Sequence, residues 1–136
     1  MSELVVFDTN VFVSYFWNFW KSGKTSAVKI AVRRILDNEA VLVYSAAIIA
    51  EYRDVLGRVK FNFPQDGVVS FLQSIIDNGL YVNPAGTNVP FIDPSDKPFY
   101  DAAVTAGAWL VTGNKKHFPD VDFVVSPRQW LEQVGL

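Results

Sequence analysis

Hydrophobic positions along this chain switch between two spacings. Short continuous apolar runs, rich in β-branched residues, recur at Leu4–Phe7, Val41–Tyr44, Leu80–Val82, Trp109–Thr112 and Phe123–Val125. Runs of that length and composition predict buried strands, and Leu80–Val82 is the weakest of the five. Between them the apolar residues take a helical period. In Thr25–Asn38, Val28, Ala31, Val32, Ile35 and Leu36 fall on one face, while Lys29, Arg33 and Arg34 take the other. Thr25 or Ser26 is positioned to cap that helix. Ser45 is positioned to cap a second, which runs through Leu56 and stops at Gly57. Pro64 and Gly79 bracket a third over Gln65–Asn78. Asp96 is placed to cap a fourth over Pro98–Gly107, and a last helix runs from about Pro127 to Gln133. Short strands alternating with helices predict an α/β fold whose parallel sheet is covered on both faces and whose crossovers are right-handed. Ligands of such sheets sit beyond the carboxyl ends of the strands, where Asp8, Ser45 and Asn114 are expected.

The 136 residues suit one domain, with no internal repeat, and Asn83–Pro90 reads as a loop rather than a linker. Half the residues are hydrophobic, and the mean hydropathy of +0.17 is that of a chain able to form a core. With no cysteine and a single histidine, a disulfide framework, a thiolate zinc site, a thiol nucleophile and a histidine cage are all excluded. No apolar run is long enough to span a membrane, and Met1–Asp8 is too short and acidic for a signal peptide. The expected location is therefore the cytoplasm. A net charge of −2 argues against coating nucleic acid by bulk charge. The charge is divided, however. Residues 21–60 carry eight bases against four acids, and residues 61–136 carry four bases against eight acids. Val11–Trp20 places five aromatics within Tyr15–Trp20. As a helix, that stretch shows aromatics on more than one face. It fits a core element that also covers an edge, a homodimer or partner surface, or a base-stacking platform.

Three carboxylates stand out. Asp8 ends the first strand in the sequence FDTN, where the sheet can pin it and point it into the crevice. Glu51 falls among Ile48, Ile49, Ala50 and Val55, where an ionised side chain needs a partner: Arg53, Lys60 or a metal. Asp96, in DPSDKPFYDAA, is a helix cap, a metal ligand or both, whereas Asp101 lies on another helical face and reads as peripheral or structural. Acids converging on one crevice repel one another unless a cation occupies it or their pKa values rise. Without cysteine, hard oxygen donors favour Mg²⁺ or Mn²⁺ over Zn²⁺. Such ions assist in-line chemistry at phosphorus, which needs no nucleophilic side chain. An aspartyl-phosphate phosphatase built on Asp8 fits less well, because the second aspartate expected two residues on is Asn10.

The order FDTNVFVS, SAAIIAEYRDVL and DPSDKPFYDAAVTAGAWLVTGNKKHFP resembles the PIN-domain family, and most of all its branch of toxin components of toxin–antitoxin systems. The likeness runs from Leu4 to about Leu131. It implies a three-layer α/β/α sandwich around a central parallel sheet of about five strands. It further implies a Mg²⁺- or Mn²⁺-dependent ribonuclease acting on RNA, with an antitoxin as protein partner. By position, Asp8, Glu51 and Asp96 match the family's first three acids. Asn114 stands where the fourth is usual, contributing an oxygen without charge. Asp101 or Asp93 could supply the missing charge. Asn10 and Thr112 match groups that orient the acids, or else serve in capping and turns. Lys115, Lys116 and His117 lie at the crevice rim, as RNA contacts or as a solvated loop. The missing fourth acid leaves open a catalytically weak scaffold that binds RNA or protein. A homodimer through Val11–Trp20 or the last helix is expected.

Overall fold

A computed structural model describes residues 3–21 and 26–136, with the side chains of Phe19, Trp20 and Lys21 outside that description. Five parallel strands form one sheet in the order β3-β2-β1-β4-β5: β1 (Glu3–Phe7), β2 (Ala40–Tyr44), β3 (Leu80–Tyr81), β4 (Trp109–Val111) and β5 (Val124–Val125). Six helices surround it: α1 (Thr9–Lys21), α2 (Ala27–Leu36), α3 (Ala46–Leu56), α4 (Gln65–Asn78), α5 (Lys97–Ala106) and α6 (Pro127–Gln133). Consecutive residues Val5, Val6 and Phe7 are wholly buried, which requires cover on both faces of the sheet. α2 and α4 pack on β2, α6 packs on β4, β5 and α2, and α5 lies across β1, β2 and β4. The result is the expected three-layer α/β/α sandwich.

Local chemistry explains most boundaries. Ser26, Ser45 and Ser126 accept from the backbone N–H three residues on, capping α2, α3 and α6. Thr25, the alternative cap for α2, lies outside the described residues. Pro64 precedes α4, whose bounds are those the sequence predicts, and Gly79 ends it. A β-carbon at Gly79 would stand 2.7 Å from the carbonyl oxygens of both Ile75 and Leu42, so the close seating of α4 on β2 needs glycine there.

One predicted cap is corrected. Asp96 does not cap α5: its backbone is already helical and its side chain makes no capping bond. A short 3₁₀ turn, Pro94–Asp96, runs straight into α5 and moves the start of the helical path upstream. Asp93 takes the capping role, accepting from the Ser95 backbone N–H (2.9 Å) and hydroxyl (2.8 Å).

Part of the aromatic face of α1 is absorbed by the core. Phe12, Tyr15 and Phe16 are buried, and the Phe71 ring of α4 meets all three at centroid distances of 5.0–5.8 Å. Trp17 is 43% exposed. On α6, Trp130 and Leu131 face inward, and Trp130 meets Phe7 edge to face. Among the described residues no helix is long and apolar enough to cross a membrane.

Candidate functional site

β1 continues to β2 on one side while β4 lies on the other, so the strand order reverses between β1 and β4. Asp8 and Thr112 immediately follow these two strands, at the position where open parallel sheets bind ligands. The Asp8 backbone N–H donates to the Val111 carbonyl, and the Thr112 N–H to that of Val125, so the sheet itself fixes both residues.

The Asp8 carboxylate is surrounded by donors. Its Oδ1 accepts from the Thr9 backbone N–H (2.8 Å), and its Oδ2 accepts from the Thr112 hydroxyl (2.8 Å) and Asn10 Nδ2 (3.2 Å). Asn10 Oδ1 accepts from the Gly113 N–H (3.0 Å), so this side chain bridges the loop after β4 to Asp8. Thr112, with no exposed surface, also accepts from the Asn114 N–H (2.9 Å). Asn10 and Thr112 thus both hydrogen-bond to Asp8. Burial nonetheless raises the Asp8 pKa from 3.8 to about 6, against the Thr112 hydrogen bond and helped by the charge of Asp96.

Asp96 is 9% exposed, and its Oδ2 is buried with no hydrogen-bond partner. Burial and the charge of Asp93 push its pKa up, while His117 draws it down. His117 Nδ1 lies 3.5 Å from that same oxygen, too far and too poorly aligned for a hydrogen bond. Glu51, on α3, is half-buried, and burial foremost raises its pKa. Among the described ion pairs neither Arg53 nor Lys60 neutralises it. The base it feels is Arg58, itself paired with Asp54, and it also feels the charges of Asp93 and Asp96. The next residue, Tyr52, is wholly buried, and its hydroxyl donates to the Phe7 carbonyl, which fastens α3 to the end of β1.

Asp8, Asp96 and Glu51 therefore share one electrostatic neighbourhood. They do not converge on a point: among the described residues no three acidic or histidine side chains form a ready metal cage. Asp101 stands apart. Its carboxylate accepts from Lys97 (2.8 Å) and from the Thr87 N–H and hydroxyl, which fastens the 82–93 segment to α5. Burial alone would raise its pKa, but these donors outweigh it and the net shift is downward. Asn114 is exposed, with a side chain that does not cap the 3₁₀ turn Lys115–His117 behind it. Lys115 and Lys116 are exposed at the same rim, and Lys115 Nζ donates to Gln129. A groove of about 510 Å³ beside Trp109, Asp122 and Phe123 lies at the opposite rim and offers one carboxylate.

The sequence reading placed His117 at the rim but did not bring it onto Asp96. Only the turn after Asn114, where the His117 N–H donates to the Asn114 carbonyl, folds it back. Nothing in the sequence pointed to Tyr52.

A parallel α/β sandwich with an acid pinned at its switch point is the class of fold in which ligands bind at the carboxyl ends of the strands. The family model for the PIN domain matches residues 4–116, and the chain belongs to the PIN-domain family. PIN domains as a class are nucleases, and they typically use divalent metals. No curated protein matches this chain closely enough to add a more specific activity.

The residues fit such an ion in chemistry. The donors are carboxylates, Asp8 is oriented by three hydrogen-bond donors, and Asp96 Oδ2 accepts no hydrogen bond.

Proposed function

We propose that this protein is a Mg²⁺- or Mn²⁺-dependent endoribonuclease and the toxin of a two-gene toxin–antitoxin module. The observation that carries the nuclease reading is the unpartnered, buried oxygen of Asp96 in the field of Asp8, at the carboxyl end of the sheet. Two acidic groups held together with only a half-exposed imidazole beside one of them repel each other, and a cation relieves that cost.

Asp8, Asp96 and Glu51 would hold the ion, with Asn114 as a neutral oxygen donor. When bound, a divalent ion supplies an activated water and neutralises charge on the scissile phosphate. The chain's own residues do the rest. Thr9, Asn10 and Thr112 keep both Asp8 oxygens oriented, so little reorganisation is needed on binding. Lys115 and Lys116 take up flanking phosphates at the rim. In hydrolysis, the water oxygen bonds to phosphorus, one ester P–O bond breaks, and the leaving oxygen gains a proton.

The test is cleavage of single-stranded and structured RNA by the purified chain with Mn²⁺, beside Asp8→Asn and Glu51→Gln. Both substitutions should abolish cutting; activity that survives both would belong to a contaminant. The toxin role predicts growth arrest on expression and rescue by a small DNA-binding protein encoded immediately upstream. That antitoxin is expected to cover the crevice or α1.

Asn114 favours a second reading, a catalytically weak scaffold that binds RNA or protein. Calorimetric titration separates the two. Absence of Mg²⁺ and Mn²⁺ binding at millimolar concentration would favour the scaffold.

A further inference from the structure

We infer that His117 joins Asp96 in the cation site, making it a mixed oxygen–nitrogen site that prefers transition metals to Mg²⁺. The inference rests on the proposed metal site and adds a ligand to it.

The geometry points to His117 in three ways. First, Nδ1 and Asp96 Oδ2 stand 3.5 Å apart without a hydrogen bond between them. Two donors at about 2.0–2.1 Å from one tetrahedral ion lie roughly 3.4 Å from each other. The pair already has the spacing of ligands that share an ion. Second, Asp96 Oδ2 is a buried acceptor with no hydrogen-bond partner, and the imidazole beside it is half exposed and able to adjust. Third, the turn after β4 is held by backbone bonds that carry His117 back over the site. Asn114 has its N–H committed to Thr112 Oγ1, and its carbonyl receives the His117 N–H. That turn presents the imidazole, three residues on, to Asp96.

Replacing a fourth carboxylate by imidazole removes one negative charge and adds a softer donor. Mg²⁺ takes oxygen ligands and binds imidazole poorly, whereas Co²⁺, Ni²⁺ and Zn²⁺ take it readily. The metal preference should therefore follow His117.

The chain holds one histidine, so an untagged protein gives a single, unambiguous imidazole signal. Zn²⁺ titration followed by ¹⁵N NMR should shift the His117 ring nitrogens, and Asp96→Asn should suppress that shift. Calorimetry should show Co²⁺ binding at least about tenfold tighter than Mg²⁺. His117→Ala should weaken Co²⁺ binding by about tenfold or more and leave Mg²⁺ within about twofold. Because His117 is exposed, this variant should fold, and circular dichroism checks that it does. Ring nitrogens that do not move at saturating Zn²⁺, or Co²⁺ affinity indifferent to His117→Ala, would overturn the inference. RNA cleavage with unmoved ring nitrogens leaves the nuclease reading standing without it. A His117-dependent ion without cleavage upholds this ligand and sinks the nuclease.

Discussion

Asp8 accepts three hydrogen bonds and is still easier to protonate than a free aspartate, because burial outweighs the donors. Its folded value of about 6 lies above the unfolded 3.8, so the folded chain binds this proton more readily. Stability from this group is therefore greatest below about pH 4 and declines as pH rises through 6, by at most about 3 kcal/mol. Asp8→Asn cannot titrate. Urea melts should show the variant gaining on the parent by up to that amount between pH 4 and pH 7, and parallel pH profiles would contradict the assignment. Thr112 gives a companion prediction. Thr112→Val keeps the shape but strips a donor from Asp8 and an acceptor from the Asn114 N–H, at a cost of about 2–3 kcal/mol, while Thr112→Ser should restore most of it. The Asp8 pKa, read by NMR, should rise further in the valine variant. At this scale the sequence was informative where a motif is contiguous: Asp8 and Asn10 are neighbours whose bond is local. It was less so for Asp96, whose solitude depends on Asp93 taking the cap, and for His117, whose position depends on one turn.

Element boundaries were legible where punctuation is chemical. Proline before and glycine after fixed α4 to the residue, and serine hydroxyls fixed the starts of α2, α3 and α6. Segment 82–93 was legible only as a loop, because its course follows from the bonds of Thr87 to Asp101, fourteen residues away. The joint between α4 and β3 offers a test of element packing. Gly79→Ala would press a methyl group against two backbone carbonyls, and thermal denaturation should show a loss of about 2 kcal/mol or more. Ser45→Ala, which removes only the α3 cap, should cost about 1 kcal/mol.

For the whole molecule, strand order decides what sequence spacing cannot. Asp8 and Thr112 are 104 residues apart and share a hydrogen bond because β1 and β4 are neighbours. Periodicity predicts that strands exist and are parallel, but not which strand lies between which. The resemblance implied the sandwich but no strand order, which the structure supplies. Assembly is the remaining question at this scale. α6 presents Arg128, Gln129, Glu132 and Gln133 outward, so the homodimer prediction is tested at α1, where Trp17 is 43% exposed. Light scattering at about 50 μM should report twice the 15.2 kDa chain mass, and Trp17→Glu should halve it. A monomeric parent protein would refute the dimer.

The link from the Tyr52 hydroxyl to the Phe7 carbonyl joins the immediate neighbours of two acids, since Phe7 precedes Asp8 and Tyr52 follows Glu51. It acts as a dowel between helix and sheet. The spacing of the backbone segments that carry those carboxylates is thereby fixed. Mutational drift elsewhere in α3 can accumulate without altering that tolerance.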